Sequence, residues 1–400
     1  MEPVKASRFR LVLHTAFGAS ASALVPVLAL LTLDAAEYGT FSLAYLMFSF
    51  GWSLELSIIC DTWARSVRNK TLPNGWREVS QALIQLCLLA GLLGGVLVFL
   101  FFGDGANAVA MGLAVLFNLY RLGARFFTAA SANPERAAVS DALTVVVFVA
   151  GWALGLLLGQ TGLLSFAVVW GLSNLVGALV FMPAWGGRPY GIGSWIRSHR
   201  KTIKPLLTDS VLMDVGAIAV PTFFAPSLGA ANFGIYRGIA SVATPVQLIL
   251  DPLRPVLSHV DPKTSSSPKI LASVAGAAAF LSAACYAVLV FLVPRTFLDG
   301  TVLGSVAAYA LPASIFVASN LFGHFYYVCS RGQLEARRLY TGRIFQTVLS
   351  VLAPTAGLVA SGLSGAIWGF TLASVASSLF WFVLLKRQAA TVPEAPTASR

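Results

Sequence analysis

The side chains able to do chemistry in this chain are few, and the informative ones are ionisable groups inside long apolar runs. A charge at bilayer depth costs about 3 kcal/mol on insertion scales, so each needs a reason. Arg237 lies in the run 231–252, about 9 Å from its outer end at 1.5 Å per helical residue. Arg237, Ser241, Thr244 and Asp251 recur at spacings of 4, 3 and 7, which confines them to one helical stripe. That stripe should face water or a transported molecule. The plainer reading is that Arg237 pairs with one buried acid and locks the bundle. Pro245 in the same run is expected to kink the helix.

Asp209, Ser210 and Asp214 occupy the run 206–226, with Asp214 about 12 Å deep. A buried carboxylate can carry a proton or a sodium ion, because its charge is tightly coupled to hydration and neighbours. A salt bridge to Arg237 is the alternative, against depths that differ by about 9 Å. His14, with Gly18, Ala21 and Ser22, gives the first run a weakly polar face and a group that titrates near neutral pH. In the second run Ser42, Tyr45, Ser49 and Ser53 share one hydroxyl-bearing face able to form hydrogen bonds. Glu55 lies roughly 140° around that helix from Ser42 and either reaches the same cargo or packs within its own bundle. Asn118, Arg121 and Arg125 are expected to snorkel to headgroups. Arg254 lies just past the inner end of the run 231–252, where ordinary usage of basic residues on the inner side also places one.

No catalytic constellation accompanies these groups. The sequence has no H-E-x-x-H and no Walker A loop, so a transporter without a catalytic motif, rather than an enzyme, is expected. No cofactor or metal is expected, and an H+ or Na+ gradient would supply direction. Cys60, Cys87, Cys285 and Cys329 have no C-x-x-C spacing and read as small buried hydrophobes.

The elements that must position these residues follow from composition. Of 400 residues 57 % are hydrophobic and 11 % charged, and the mean hydropathy is +0.78. A water-soluble chain is about a quarter charged, so a soluble enzyme and a disulfide scaffold are disfavoured. Twelve apolar runs can be marked: 11–31, 38–59, 80–102, 107–127, 141–159, 163–183, 206–226, 231–252, 270–293, 302–327, 343–360 and 364–385. The first is read as a helix, not a cleavable signal.

Taking every second connection from the N-terminus as inside collects all of the 27 Lys and Arg except Arg237 and Arg295. One missed or invented helix would scramble that pattern, so both ends are expected in the cytoplasm. The net charge of +11 is then a topology signal and no sign of nucleic-acid binding. The outer connections, such as Gly103 to Ala106 and Ser361 to Leu363, are too short to hold the catalytic loop of a glycan polymerase or ligase.

The chain also repeats. An ungapped shift of 195 residues brings Val25-Pro26 onto Val220-Pro221, Ala35-Ala36 onto Ala230-Ala231, and Tyr38-Gly39-x-Phe41 onto Phe233-Gly234-x-Tyr236. Trp170-Gly171-Leu172 matches Trp368-Gly369-Phe370 at a shift of 198. The expected fold is therefore an all-α polytopic membrane protein with about 12 transmembrane helices in two six-helix parallel repeats. Residues 1–183 would form the first lobe, 184–205 a cytoplasmic linker, 206–387 the second lobe and 388–400 a disordered tail. Trp195 and the basic residues around it suit a linker lying on headgroups.

Glu37-Tyr38-Gly39-Thr40-Phe41-Ser42-Leu43-Ala44, Gly234-Ile235-Tyr236-Arg237 and Leu253-Arg254-Pro255-Val256-Leu257 resemble the polysaccharide transporters of the multidrug/oligosaccharidyl-lipid/polysaccharide (MOP) flippase superfamily. The G-x-x-x-D-R-x-G-R-R pattern of major-facilitator transporters is absent: Asp61-Thr62-Trp63-Ala64-Arg65 lacks its glycines and adjacent arginine. The resemblance implies two six-helix bundles around a cavity. It also implies a lipid-linked oligosaccharide as cargo, flipped across the bacterial inner membrane as an O-antigen, capsule or exopolysaccharide unit. Substrate-binding candidates are Arg237, Ser241, Thr244, Ser42, Ser49, Arg254, Glu55 and His14; ion-coupling candidates are Asp214 and Asp209. Partners would be membrane lipids, a polysaccharide polymerase and glycosyltransferases. The alternatives are a cation-coupled multidrug exporter of the same superfamily and a non-transporting scaffold of a glycan-assembly complex.

Overall fold

The structure, a computed structural model, describes residues 24–68, 75–130, 134–184, 190–244, 246, 250, 262–334 and 336–391. His14, Asp251 and Arg254 lie outside them, as do residues 392–400, and the side chain of Asp209 is likewise not described. Every element among the described residues is helical.

After α1 (24–32) come α2 (Ala35–Glu55), a π-helical turn Leu56–Cys60 and α3 (Asp61–Arg68), which continue one rod. Next are α4 (Trp76–Phe102), α5 (Gly105–Ala130), α6 (Pro134–Leu157) and α7 (Leu163–Leu179). Then α8 (Ile192–Asp214) runs through a second π-helical turn, Val215–Ala219, into α9 (Val220–Val242), which is broken at Gly229. The remainder is α10 (Pro262–Ser265), α11 (Pro268–Ala287) with a π-turn Val288–Leu292, α12 (Val302–Ala307), α13 (Ala310–Gln333) and α14 (Ala336–Thr391). The last is broken at Ser361 and Gly362, so it is two helices in one rod, and it runs past residue 388 into the segment expected to be a tail.

The breaks fall where the sequence places its short outer connections. Gly103 and Gly159 hold φ of 74° and 67°, and Gly229 and Gly362 hold 71° and 62°, the left-handed backbone a turn between adjoining helices requires. At the entry to α2, Asp34 caps Glu37 N–H while the Glu37 carboxylate returns to the Asp34 N–H, a reciprocal capping box. Glu37 Oε1 also accepts from Leu163 N–H at 3.0 Å, tying the start of α7 to the start of α2.

Six stretches among the described residues are long and apolar enough to cross a membrane: Ala35–Ala64, Trp76–Phe102, Gly105–Thr128, Glu135–Leu157, Pro268–Arg295 and Arg337–Ala390. Helix α4 shows how. Its Leu88, Leu89, Leu92, Leu93, Val96, Phe99 and Leu100 are exposed along one side, while Val79, Leu83, Leu86, Cys87, Gly91 and Val98 are buried on the other. So much exposed aliphatic surface is tolerable only where the surroundings are themselves hydrocarbon. Lipid does not drive such helices together, so they associate through small residues that permit close approach. A Cβ on Gly91 would lie 2.7 Å from the Gly112 carbonyl oxygen, and one on Gly112 2.9 Å from that of Gly91. These facts make the chain an all-α, multi-pass membrane protein.

It divides into two compact units, Met1–Gly234 and Ile235–Arg400. In the first, α5 is packed by α2, α4, α6 and α7, and Trp170 of α7 lies among Phe41, Tyr45 and Phe48 of α2. In the second, α13 packs between α11 and α14 around Tyr326, Cys329, Trp381 and Leu385. Cys60, Cys87 and Cys329 are buried as free thiols and Cys285 is half-buried.

Candidate functional site

The residues that carry the internal repeat meet one another in the first unit. A Cβ on Gly39 would come 1.9 Å from the carbonyl oxygen of Ala230, and a Cβ on Gly234 would come 1.8 Å from that of Ala35. Ala35 and Ala230 are equivalent under the 195-residue shift, as are Gly39 and Gly234. Residue i touching j′ while i′ touches j is the signature of two-fold pairing. Helices α2 and α9 therefore cross backbone to backbone on a local pseudo-axis, and both glycines are needed for the approach.

Further along α2 a row of hydroxyls faces α8. Ser57 Oγ lies 2.5 Å from Ser210 Oγ and donates to the Ser53 carbonyl at 3.0 Å. One turn away the Ser53 hydroxyl bonds the carboxylate of Asp214, whose Oδ2 is buried without a hydrogen-bond partner. Ser53 and Ser57 are i, i+4 on one helix and Ser210 and Asp214 are i, i+4 on the other, so two rungs align. Each rod leaves α-helical geometry at this level: the π-turn Leu56–Cys60 follows Glu55 and the π-turn Val215–Ala219 follows Asp214. A π-turn shifts the i→i−4 pairing and frees carbonyls, and such turns concentrate at functional positions.

The freed carbonyls of the first π-turn are taken up by side chains. Thr62 Oγ1 donates to Ser57 O at 2.9 Å, and Trp195 Nε1 donates to Ile58 O at 2.7 Å. Trp195 is fully buried and stacks on His199, whose Nδ1 lies 3.0 Å from the Trp195 carbonyl. The expectation that Trp195 lies on headgroups is therefore corrected. Trp195, His199 and Ile203 form the inner face of the segment, while Arg197, Arg200, Lys201 and Lys204 form its exposed face. Trp195 near the start of α8 and Ser210 near its end both touch the same π-turn.

The other expected site residues are placed as follows. Ser42 is buried, and Ser49 is half-buried and donates to the Tyr45 carbonyl at 2.9 Å. Glu55 turns inward, away from the hydroxyl row, and is fully enclosed. Its Oε2 receives the Cys87 thiol at 3.8 Å, its Oε1 has no hydrogen-bond partner, and a Cβ on Gly123 would meet it at 1.9 Å. Arg237 and Ser241 are half-buried on the part of α9 that follows Gly229, and Thr244, just past the end of α9, is half-buried too; all three belong to the second unit. Tyr236 beside them is buried against Phe370.

Arg121 does not snorkel. It is 1 % exposed, with Nη1 on Asp141 Oδ1 at 2.8 Å and Nε on Asn174 Oδ1 at 2.8 Å, while Arg125 Nε meets Asp141 Oδ2 at 2.6 Å. One carboxylate from α6 thus pairs with two guanidinium groups from α5, and Arg121 is held inside the helix cluster rather than at its surface. Sequence spacing overlooked Asp141, Asn174 and Ser57, because pairing partners on other helices leave no local trace. Among the described residues no group of three or more His, Cys, Asp or Glu could hold a metal ion.

No family model matches the chain, and no curated protein does. Solved structures do. The lipid II flippase MurJ in an inward closed conformation superposes with a TM-score of 0.65 at 8 % identity, over 96 % of this chain and 90 % of that one. An inward-facing multidrug resistance MATE family transporter of the MOP superfamily gives 0.60 at 13 % identity, over 94 % of each chain. An outward-facing one gives 0.52 at 14 % identity, over 96 % and 95 %. Identities this low speak for the fold alone, and the fold of this chain is that of the MATE and MurJ transporters.

Proposed function

We propose that this protein is a flippase that moves an undecaprenyl-diphosphate-linked oligosaccharide, as an O-antigen, capsule or exopolysaccharide unit, across the bacterial inner membrane by alternating access. The observation that carries the reading is Arg237. It is a half-buried guanidinium within an apolar helix, one turn past the close crossing of α2 and α9, with Ser241 and Thr244 continuing its stripe. A fixed cation at that depth suits a diphosphate or sugar acid better than a cationic drug. The transporter fold and the MOP-like motifs support the same reading.

In this mechanism Arg237 holds the anion, and Ser49, Ser241 and Thr244 are open enough to bond the glycan; Arg254 would meet the incoming diphosphate. Ser42 and Glu55 are enclosed in the first unit and would act on cargo only after a rearrangement of α2. Asp214 couples a cation. Its carboxylate is shared with Ser53 across α2 and α8, so taking up H+ or Na+ would compete with that rung and loosen α8 at the π-turn that follows. Asp209 precedes it by five positions in the sequence, and both Asp209 and His14 are kept as secondary candidates. Membrane lipids, a polymerase and glycosyltransferases are the partners this function calls for.

The test is Arg237→Ala in the native host. Surface polysaccharide should be lost while the protein remains folded and inserted; wild-type output from the variant refutes the assignment. Cation-coupled multidrug export is the second reading, favoured by the MATE likeness in fold. Unchanged polysaccharide with dye and drug sensitivity in a deletion strain would select it.

A further inference from the structure

We propose that Arg343 and Tyr327, with His324 beside them, form a binding site for a phosphate-ester anion within the second unit. Asn320, His324 and Tyr327 recur at spacings of 4 and 3 on α13 and so share one face of that helix. Arg343, near the start of α14, reaches that face. Its guanidinium carbon lies 4.7 Å from the centroid of the Tyr327 ring, and its Nη2 donates to the Tyr327 hydroxyl oxygen. Its Nη1 donates to Gln346 Oε1 at 3.5 Å. The same Oε1 takes the indole N–H of Trp381 at 3.2 Å, so both of its lone pairs are engaged. The His324 ring sits edge-on to Tyr327 at 6.4 Å.

Counting donors against acceptors shows what the cluster lacks. Arginine has five N–H donors and a charge it cannot shed, and here two of those donors meet neutral oxygens. Tyr327 accepts from Arg343, which leaves its own O–H to be donated. No ion pair to Arg343 exists among the described residues, and the one acid of the second unit among them, Asp299, lies in the separate turn Phe297–Gly300. Arg121 of the first unit shows the contrast, since Asp141 neutralises it. Arg343, Tyr327 and His324 are all half-buried, so the donors are held by their neighbours yet reachable from outside the helix cluster.

A planar guanidinium fork with a phenol beside it matches the tetrahedral oxygens of a phosphate ester. Two sources share that chemistry: the headgroup of a bilayer phospholipid and the diphosphate of a polyprenyl carrier. The site does not depend on the cargo proposed above, and its failure would leave that reading in place.

The experiment is calorimetric titration of the full chain in a non-ionic maltoside with two soluble probes, dihexanoyl phosphatidylglycerol and geranyl diphosphate. At least one should bind the wild type. Arg343→Gln should weaken it tenfold or more, Arg343→Lys less, because the charge stays but the fork is lost, and Tyr327→Phe severalfold. Arg295→Gln, in an exposed turn, should change nothing. Preference for the phospholipid identifies a lipid site and preference for geranyl diphosphate a carrier site. Absence of binding by either probe overturns the proposal, as does wild-type affinity in both Arg343→Gln and Tyr327→Phe. If Arg343→Gln does not fold, Tyr327→Phe decides.

Discussion

Adding one methyl group at the crossing of α2 and α9 perturbs a backbone contact with no room to yield. In Gly39→Ala the new Cβ would sit 1.9 Å from the Ala230 carbonyl oxygen and 2.8 Å from its carbon; in Gly234→Ala the new Cβ would sit 1.8 Å and 2.9 Å from the equivalent atoms of Ala35. The obstacle is main chain in both cases, so the helices themselves must part by more than 1 Å, about the shortfall from a normal contact distance. Overpacking of this kind costs about 1–3 kcal/mol. Each single variant should therefore lower the thermal midpoint in detergent by several degrees.

The double variant supplies the sharper result. Once Gly39→Ala has forced the helices apart, the space at Gly234 is already open, because the two contacts lie on one local axis. The double variant should be little worse than the worse single variant, giving an interaction energy of about 1 kcal/mol or more of favourable sign. Thermal unfolding of the four proteins in the same detergent measures it. Strict additivity, or singles as stable as the wild type, would refute reciprocal close packing as the basis of the repeat.

Two further outcomes are expected from stability measurements, and neither needs a transport assay. Asp141→Asn would leave Arg121 and Arg125 facing a neutral amide; breaking a buried ion pair costs about 3–5 kcal/mol, so the protein should fail to accumulate or unfold far below the wild type. Wild-type stability would show that the triad is not held by charge. Trp195→Phe keeps the stacking on His199 but strips the donor from the Ile58 carbonyl, at a cost of about 1–3 kcal/mol. Hydrogen exchange should quicken across the π-turn Leu56–Cys60, and unchanged protection there would contradict the contact.

Much of this fold is readable along the chain because its punctuation is local. The turns at Gly103, Gly159, Gly229 and Gly362 fall between apolar runs because only glycine relieves the strain of that backbone. The Gly39 and Gly234 pairing is foreshadowed by the repeat, although an offset cannot say that the two motifs touch. Trp195 shows a limit: the i, i+4, i+8 face of Trp195, His199 and Ile203 has the same periodicity whether it meets lipid or protein. Arg121 shows another, since its partners lie 20 and 53 residues away and an arginine near the end of an apolar run looks the same whether it snorkels or is enclosed. The π-turns leave no compositional mark, so the alignment of Ser53 with Asp214 and of Ser57 with Ser210 needed the folded chain. Asp214 was visible as a buried acid; its hydroxyl partner on α2 was not.

This chain is proposed to move a diphosphate-linked lipid, held by Arg237 and coupled through Asp214. The most direct test is a reconstituted flipping assay: proteoliposomes with a fluorescent polyprenyl-diphosphate saccharide in one leaflet and a pH or sodium gradient across the bilayer. Wild-type protein should transfer the probe, Arg237→Ala should not, and Asp214→Asn should transfer it at a rate indifferent to either gradient. Transfer no faster than in protein-free liposomes, or equal transfer by all three proteins, would contradict the account.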